Sequence, residues 1–462
     1  MYICTIGDKE STQMALKHLH MFFRTVIAAA MIAAVSCTPD WKDEMTPVTS
    51  GSQVSGSSDR DLNTDTRKVL LLYSAGFNSI SSYLKEDIED LSTGWLPRAR
   101  RADDVILVYS HQPKSRGQYS EKTSPVLFRM YTESDGTVVR DTLMTYEPGT
   151  VSSSARQMNK VLTYVRDNFP AVGYGMIFSS HATGYLPSGF YSKPDGYTFK
   201  EDMMYRQGAR ERWPLSPVPY TEPEQDPSLP AVKSIGQDTD GVNSHEMDIR
   251  DFAEAIPMKM DYILFDACLM GGIEVAYELA GKCGKIGFSQ AEVLAEGFNY
   301  STLASHLLGN KSESDPYSVC KDYFEQYDIQ TGVNRSATIS LIDCSQLDGL
   351  AATCRDLFEK YSDGMSDIDH RSVQGFFRSS RHWFYDMESI MENAGATEED
   401  MDFLREAIGK CILYKGATPS FMGEFTIRTF SGFSMYLPCY GHNELNKYYR
   451  TLKWNKATGL VK

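Results

Sequence analysis

The chain has 462 residues, more than one ordinary domain needs, and its 42% hydrophobic, 12% aromatic and 23% charged content is that of a globular protein with ample core material. Its formal net charge of −15 argues against nucleic-acid binding, which needs clustered Lys and Arg. The acidic surface suits basic peptide substrates, although solubility alone accounts for it.

The N-terminal region reads as an export signal. Arg24 precedes an apolar run over residues 25–35 (TVIAAAMIAAV), too short to span a bilayer, followed by Ser36 and Cys37. Small residues before a cysteine resemble a bacterial lipobox, with Ala34 where Leu is usual. The expected order is a signal peptide over 1–36, with Met21 as a start, and Cys37 as the lipidated first residue of a tether over 37–66 rich in Ser, Thr, Gly and Asp. Asp40, Asp43 and Glu44 resemble the acidic export tag of surface lipoproteins. The expected location is therefore the cell envelope, across the inner membrane and lipid-anchored in the outer one, with the lipid as the only membrane contact. Of nine cysteines, Cys4 and Cys37 leave with the signal or the lipid. The remaining seven are an odd number, so at least one thiol stays unpaired, and the lack of CxxC pairs argues against a zinc cage.

Next come short buried-strand runs alternating with helical patterns. Residues 68–73 (KVLLLY) and 104–110 (DVILVYS) read as buried strands, with helical spacing over 79–91 between them. Residues 125–131 and 138–146 flank a hairpin signal at Asp135-Gly136. A helix is expected over 154–169, a strand over 174–180, a short helix over 248–256, a strand over 261–267 and a helix through 274–279. This alternation predicts an α/β sandwich with a mostly parallel central sheet, forming a core over 67–350. The Pro-rich stretch 185–245 reads as a long functional loop. From 351 to 462 helical patterns dominate, closing on a strand signal at 432–438 (GFSMYLP), which suggests a smaller C-terminal α+β subdomain.

Two core strands end on reactive residues: Phe178-Ser179-Ser180-His181 and Phe265-Asp266-Ala267-Cys268. In open α/β sheets, sites form beyond the carboxyl ends of strands. If these strands are neighbours, an imidazole that titrates near neutrality and a nucleophilic thiol rise from one edge. A helix starting at 270–274 would favour the thiolate through its dipole, and turn N–H groups would bind an oxyanion. The plain alternatives are a buried core thiol and a satisfied strand-end histidine.

The stretch 174–187 (YGMIFSSHATGYLP) resembles the histidine segment of clostripain-family cysteine peptidases, and 261–280 (DYILFDACLMGGIEVAYELA) resembles their nucleophile segment. Residues 68–91, 287–300 and 432–438 are also similar to the family's, so the resemblance covers most of 67–455. It implies a caspase-like fold, with Cys268 attacking the scissile carbonyl and His181 moving the proton to the leaving amine. It places Asp266 in a pocket that selects Arg or Lys, and so implies peptide or protein substrates with basic residues. Glu296 is a candidate second pocket acid. The resemblance also implies self-cutting in the loop after His181, where Lys193, Lys200, Arg206, Arg210, Arg212 and Lys233 stand. Some relatives bind calcium, although the sequence itself requires no cofactor and holds no EF-hand-type loop.

Two positions depart from the family pattern. Ala182 replaces the usual Gly after the histidine; its N–H can still serve an oxyanion hole, but a positive φ there would strain it by about 1–2 kcal/mol. Phe77-Asn78 replaces the usual Asp-Asn of the first turn. The alternative function is a catalytically silent caspase-like lipoprotein that binds peptides or a partner protein.

Overall fold

The computed structural model describes residues 67–98, 104–115, 117–199, 213, 215, 217–219, 228–233, 238–239, 243–309, 313–379 and 381–462. The expected signal peptide, Cys37, the tether, and Lys200, Arg206, Arg210 and Arg212 lie outside the described residues.

A nine-stranded sheet organises the chain. Its strands are β1 (Lys68–Ala75), β2 (Val105–His111), β3 (Val126–Thr132), β4 (Val138–Thr145), β5 (Gly173–Ser179), β6 (Met260–Asp266), β7 (Cys283–Phe288), β8 (Thr338–Asp343) and β9 (Ile412–Ala417). They lie in the order β9-β8-β7-β6-β5-β1-β2-β3-β4. The five central strands, β7 to β2, are parallel, and antiparallel pairs flank them at both edges. Continuous apolar runs produce this centre: every residue of β1 is buried, as parallel strands covered on both faces require. Each such Leu or Val contributes about 1.5–3 kcal/mol by leaving water.

Helices cover both faces. On one, α1 (Ser81–Thr93) packs against α5 (Tyr300–Leu307), which packs against α6 (Pro316–Asp328). On the other, α2 (Ala155–Asn168) packs against α3 (Ile249–Ala255), and α3 against α4 (Ile273–Leu279). Alternation along β5 separates the faces. Phe178 stacks edge-on against Phe252 of α3, with centroids 5.1 Å apart, while Ser179 reaches Asp87 of α1. Ser154 and Asp248 start α2 and α3 by accepting N–H bonds from Gln157 and Arg250.

Residues from 351 onward belong to the same compact unit as the core. They supply edge strand β9 and a helix at Glu398–Cys411. The strand expected at 432–438 shortens to Ser434–Met435, paired with Tyr385–Asp386, and Ser434 also bridges Gly272. The turn that follows Cys268 is thus tied at Gly271 and Gly272 to Ser434. Among the described residues no helix is long and apolar enough to cross a membrane.

Candidate active site

Strand register brings the two reactive segments together. In the β5–β6 pair Ser179 stands opposite Asp266, so His181 and Cys268 each follow two residues beyond paired positions on neighbouring parallel strands. Both are buried, at 4% and 0% exposure. His181 Nε2 lies 3.2 Å from Ser79 Oγ, at the turn after β1, which fixes the ring and leaves Nδ1 without a hydrogen bond. Cys268 Sγ accepts the Val293 N–H at 3.0 Å, a contact that favours negative charge on sulfur.

The turn after Cys268 is locked by backbone bonds. Leu269 adopts φ 61, an uncommon conformation for a branched side chain, and donates its N–H to Ala291 O at 2.9 Å. Gly184, three residues past His181, has φ +61, and a Cβ there would come 2.5 Å from Leu269 O. The histidine loop and the nucleophile loop therefore touch backbone to backbone. Ala182 does not have positive φ, so replacing the usual Gly causes no strain. Helix α4 begins at Ile273, within the expected 270–274 window, with Gly272 as its N-cap, and is seven residues long.

Beside Cys268, residues 231–233 of the Pro-rich loop lie along 293–295. Val232 pairs antiparallel with Leu294. Lys233 donates its N–H to Val293 O, and Ala295 donates to Ala231 O, both at 2.8 Å. The Lys233 side chain is fully buried and its Nζ donates to Asp266 Oδ2, to Asp87 Oδ2 at 3.1 Å and to Ser179 Oγ at 3.4 Å. Tyr300 donates its hydroxyl to Asp266 at 2.7 Å. Burial opposes the charge on Lys233, but Asp266 and Asp87 more than offset it and hold its pKa above the usual value. Burial pushes the Asp87 carboxyl well up, against the pull of Lys233. His181 is lowered to about 3, chiefly by burial, with the Lys233 backbone beside it pulling the other way.

Asp266 thus meets the buried ammonium of the chain's own Lys233 at the end of the β6 strand. Glu296 does not join it: its side chain is exposed, and its neighbour Gly297 faces the ammonium, where a Cβ would come 2.6 Å from Lys233 Nζ. The second acid is Asp87, which helical spacing places with Leu84, Ile88 and Leu91 on the buried face of α1. That spacing signalled a buried carboxylate, whereas no sequence pattern marked Ser79. Lys193 is exposed. Phe77, in place of the usual acid, stacks on His111 at 4.7 Å. Among the described residues no group of three or more His, Cys, Asp or Glu is placed to hold a metal, so no residue is assigned to calcium. Their seven cysteines are all free thiols.

The clostripain family (peptidase C11) matches residues 221–455. The chain belongs to the clostripain family. Its fold is that of an inactive zymogen C11 protease from Parabacteroides distasonis, 26% identical, with a TM-score of 0.65 over 86% of this chain and 99% of that one. A secreted C11 cysteine protease from Bacteroides thetaiotaomicron, solved with an irreversible peptide inhibitor, is 23% identical, with a TM-score of 0.64 over 85% of this chain and 99% of that one. No curated protein sequence matches the chain. Family membership makes this clostripain-family protein a cysteine peptidase, acting on peptide or protein substrates.

Proposed function

We propose that the protein is an endopeptidase that cuts after Lys or Arg, caught here before it cuts itself after Lys233. One observation carries this reading: Lys233 is laid antiparallel on the 293–295 ledge with its ammonium on Asp266. That is how a basic substrate residue would be held on the acyl side of its scissile bond. In the reaction, Cys268 Sγ bonds to the Lys233 carbonyl carbon as the thiol proton passes to His181. His181 then protonates the Ser234 nitrogen as the C–N bond breaks. Water, deprotonated by the same imidazole, releases the acyl group and restores the thiol. Ser79 orients the ring through Nε2, leaving Nδ1 for the reacting side. The Parabacteroides relative, described as an inactive zymogen, is consistent with an uncut chain that blocks its own pocket.

The N-terminal sequence supports export and anchoring through a lipid on Cys37, which would place this activity in the cell envelope. The deciding experiment incubates full-length protein and Cys268→Ala side by side, sequences any new N-terminus, and offers fluorogenic peptides ending in Arg, Lys, Asp or Ala. The expected fragment begins at Ser234 and is absent in Cys268→Ala, with turnover confined to Arg and Lys. An uncut chain that turns over none of the peptides, even after trypsin nicking with calcium added, sinks the proposal and leaves a silent peptide binder. Metal chelation in the same assay tests calcium dependence, and radiolabelled fatty acid incorporation, lost in Cys37→Ala, tests the anchor.

A further inference from the structure

The pocket that holds Lys233 lies on the α1 and α5 side of the sheet. A second recess opens on the opposite side, directly against the catalytic histidine. Its lining includes His181, Met270, Phe178, Phe252, Ile249 and Met247. We infer that this recess is the subsite for the first residue on the leaving side of the scissile bond, and that it takes a medium-sized apolar side chain. The inference rests on the peptidase reading above.

His181 lines the recess, and the Lys233 backbone lies beside that ring. Strand alternation argues for the subsite. In an extended peptide successive side chains point to opposite faces. Lys233 points toward Asp87 and Asp266, so a substrate peptide laid as Lys233 is laid would turn its next side chain toward the Phe178 and Phe252 face, where the recess lies. The lining chemistry selects the side chain. Phe178, Ile249, Phe252, Met247 and Met270 give the recess an apolar side, hydroxyls such as those of Ser153 and Thr183 line the rest, and the charged group is Glu246, whose carboxylate accepts the Gly189 N–H at 2.8 Å and repels an acidic residue. Ser234, which follows Lys233, is small and polar. Self-cutting is therefore not tuned to this subsite.

The test uses the full chain already cut at Lys233 and quenched peptides with Lys before the bond and Ser, Ala, Leu, Met, Phe or Glu after it. Leu and Met should exceed Ser and Glu in kcat/KM by about tenfold or more, the usual scale for filling an apolar pocket. Met247→Trp fills the recess and should bring the Leu-to-Ala ratio close to one while the preference for Lys before the bond persists. Ile249→Ala enlarges it and should move the optimum toward Phe. Separately, Ser234→Leu should speed self-cutting of the intact chain. A flat leaving-side series, or a preference indifferent to both variants, overturns the subsite and leaves the peptidase reading standing. No cleavage of any peptide overturns both.

Discussion

Ser179 and Asp266 face each other across two parallel strands, with Ser179 Oγ 3.3 Å from Asp266 Oδ2. This contact ties two things together. It belongs to the register that carries His181 and Cys268 to the same edge, and it places the acid that holds Lys233 one step below them. On the proposed reading, specificity and chemistry share one pair of strand ends, and changes to the acids around Lys233 can be separated from changes to His181 and Cys268.

Asp266→Asn should abolish self-cutting at Lys233 and lower kcat/KM for Lys peptides by two to three orders of magnitude. Removing one partner of a buried ion pair costs about 3–5 kcal/mol, and Asp266 is fully buried with Lys233 and Tyr300. Asp87→Asn should cost less, because burial already raises that carboxyl toward its neutral form. Steady-state kinetics on both variants, with equal losses for the two acids, would show that Asp266 has no special place in the pocket.

Gly184→Ala should disable the enzyme while preserving the fold. At φ +61 a side chain costs about 1–2 kcal/mol. The larger effect is geometric, since the new Cβ would come 2.5 Å from Leu269 O and push the histidine loop off the nucleophile loop. The readout is the pH profile of Cys268 alkylation by iodoacetamide alongside circular dichroism. An unchanged alkylation profile would remove the interlock as a positioning device.

The central fold, and the neighbouring strand ends that carry His181 and Cys268, were legible because they depend on local pattern. The runs at 68–73, 104–110, 174–180 and 261–267 are each a strand within two residues of its bounds, since continuous apolar sequence bounded by turn residues has few other solutions. What stayed hidden depends on distant pairing. Strand β7 (CGKIGF) carries two glycines and a lysine, weak strand formers, and is held by β6 and β8 on either side. Strand β9 lies in a stretch that reads as helical, yet it completes the sheet edge against β8. Lys233 was one of six basic residues in its loop, and only folding sets it on Asp266. Glu296 had the right chemistry, but Gly297 takes the pocket-facing position.

Ser79→Ala should slow turnover about tenfold with KM little changed. The hydroxyl bonds His181 Nε2 and acts through the imidazole, so its loss frees the ring at Nε2. One such hydrogen bond contributes about 0.5–1.5 kcal/mol. Ser79→Thr, which keeps the hydroxyl, should restore most of the rate. A tenfold rise in KM at unchanged kcat would instead assign Ser79 to substrate binding.

The uncut chain should lose stability in acid through His181. Its pKa is lowered to about 3 from 6.5 by burial, so the unfolded state binds the proton more readily between those values. Stability from this group is complete above about pH 6.5 and declines as pH falls, by about 1.4 kcal/mol per unit, until about pH 3. Glu274, buried and hydrogen-bonded to Tyr449, has the opposite sign. Burial raises it from 4.5 to about 7, so its contribution is full below pH 4.5 and declines as pH rises toward 7. The two slopes overlap between about 4.5 and 6.5 and partly cancel. Urea unfolding from pH 4 to 8 of Cys268→Ala, alone and combined with His181→Gln or Glu274→Gln, separates them. Relative to Cys268→Ala alone, the His181 variant should lose less stability below pH 6, and the Glu274 variant less between pH 5 and 7. If the three curves run parallel, neither group titrates across folding, and the buried, neutral histidine of the uncut state is ruled out.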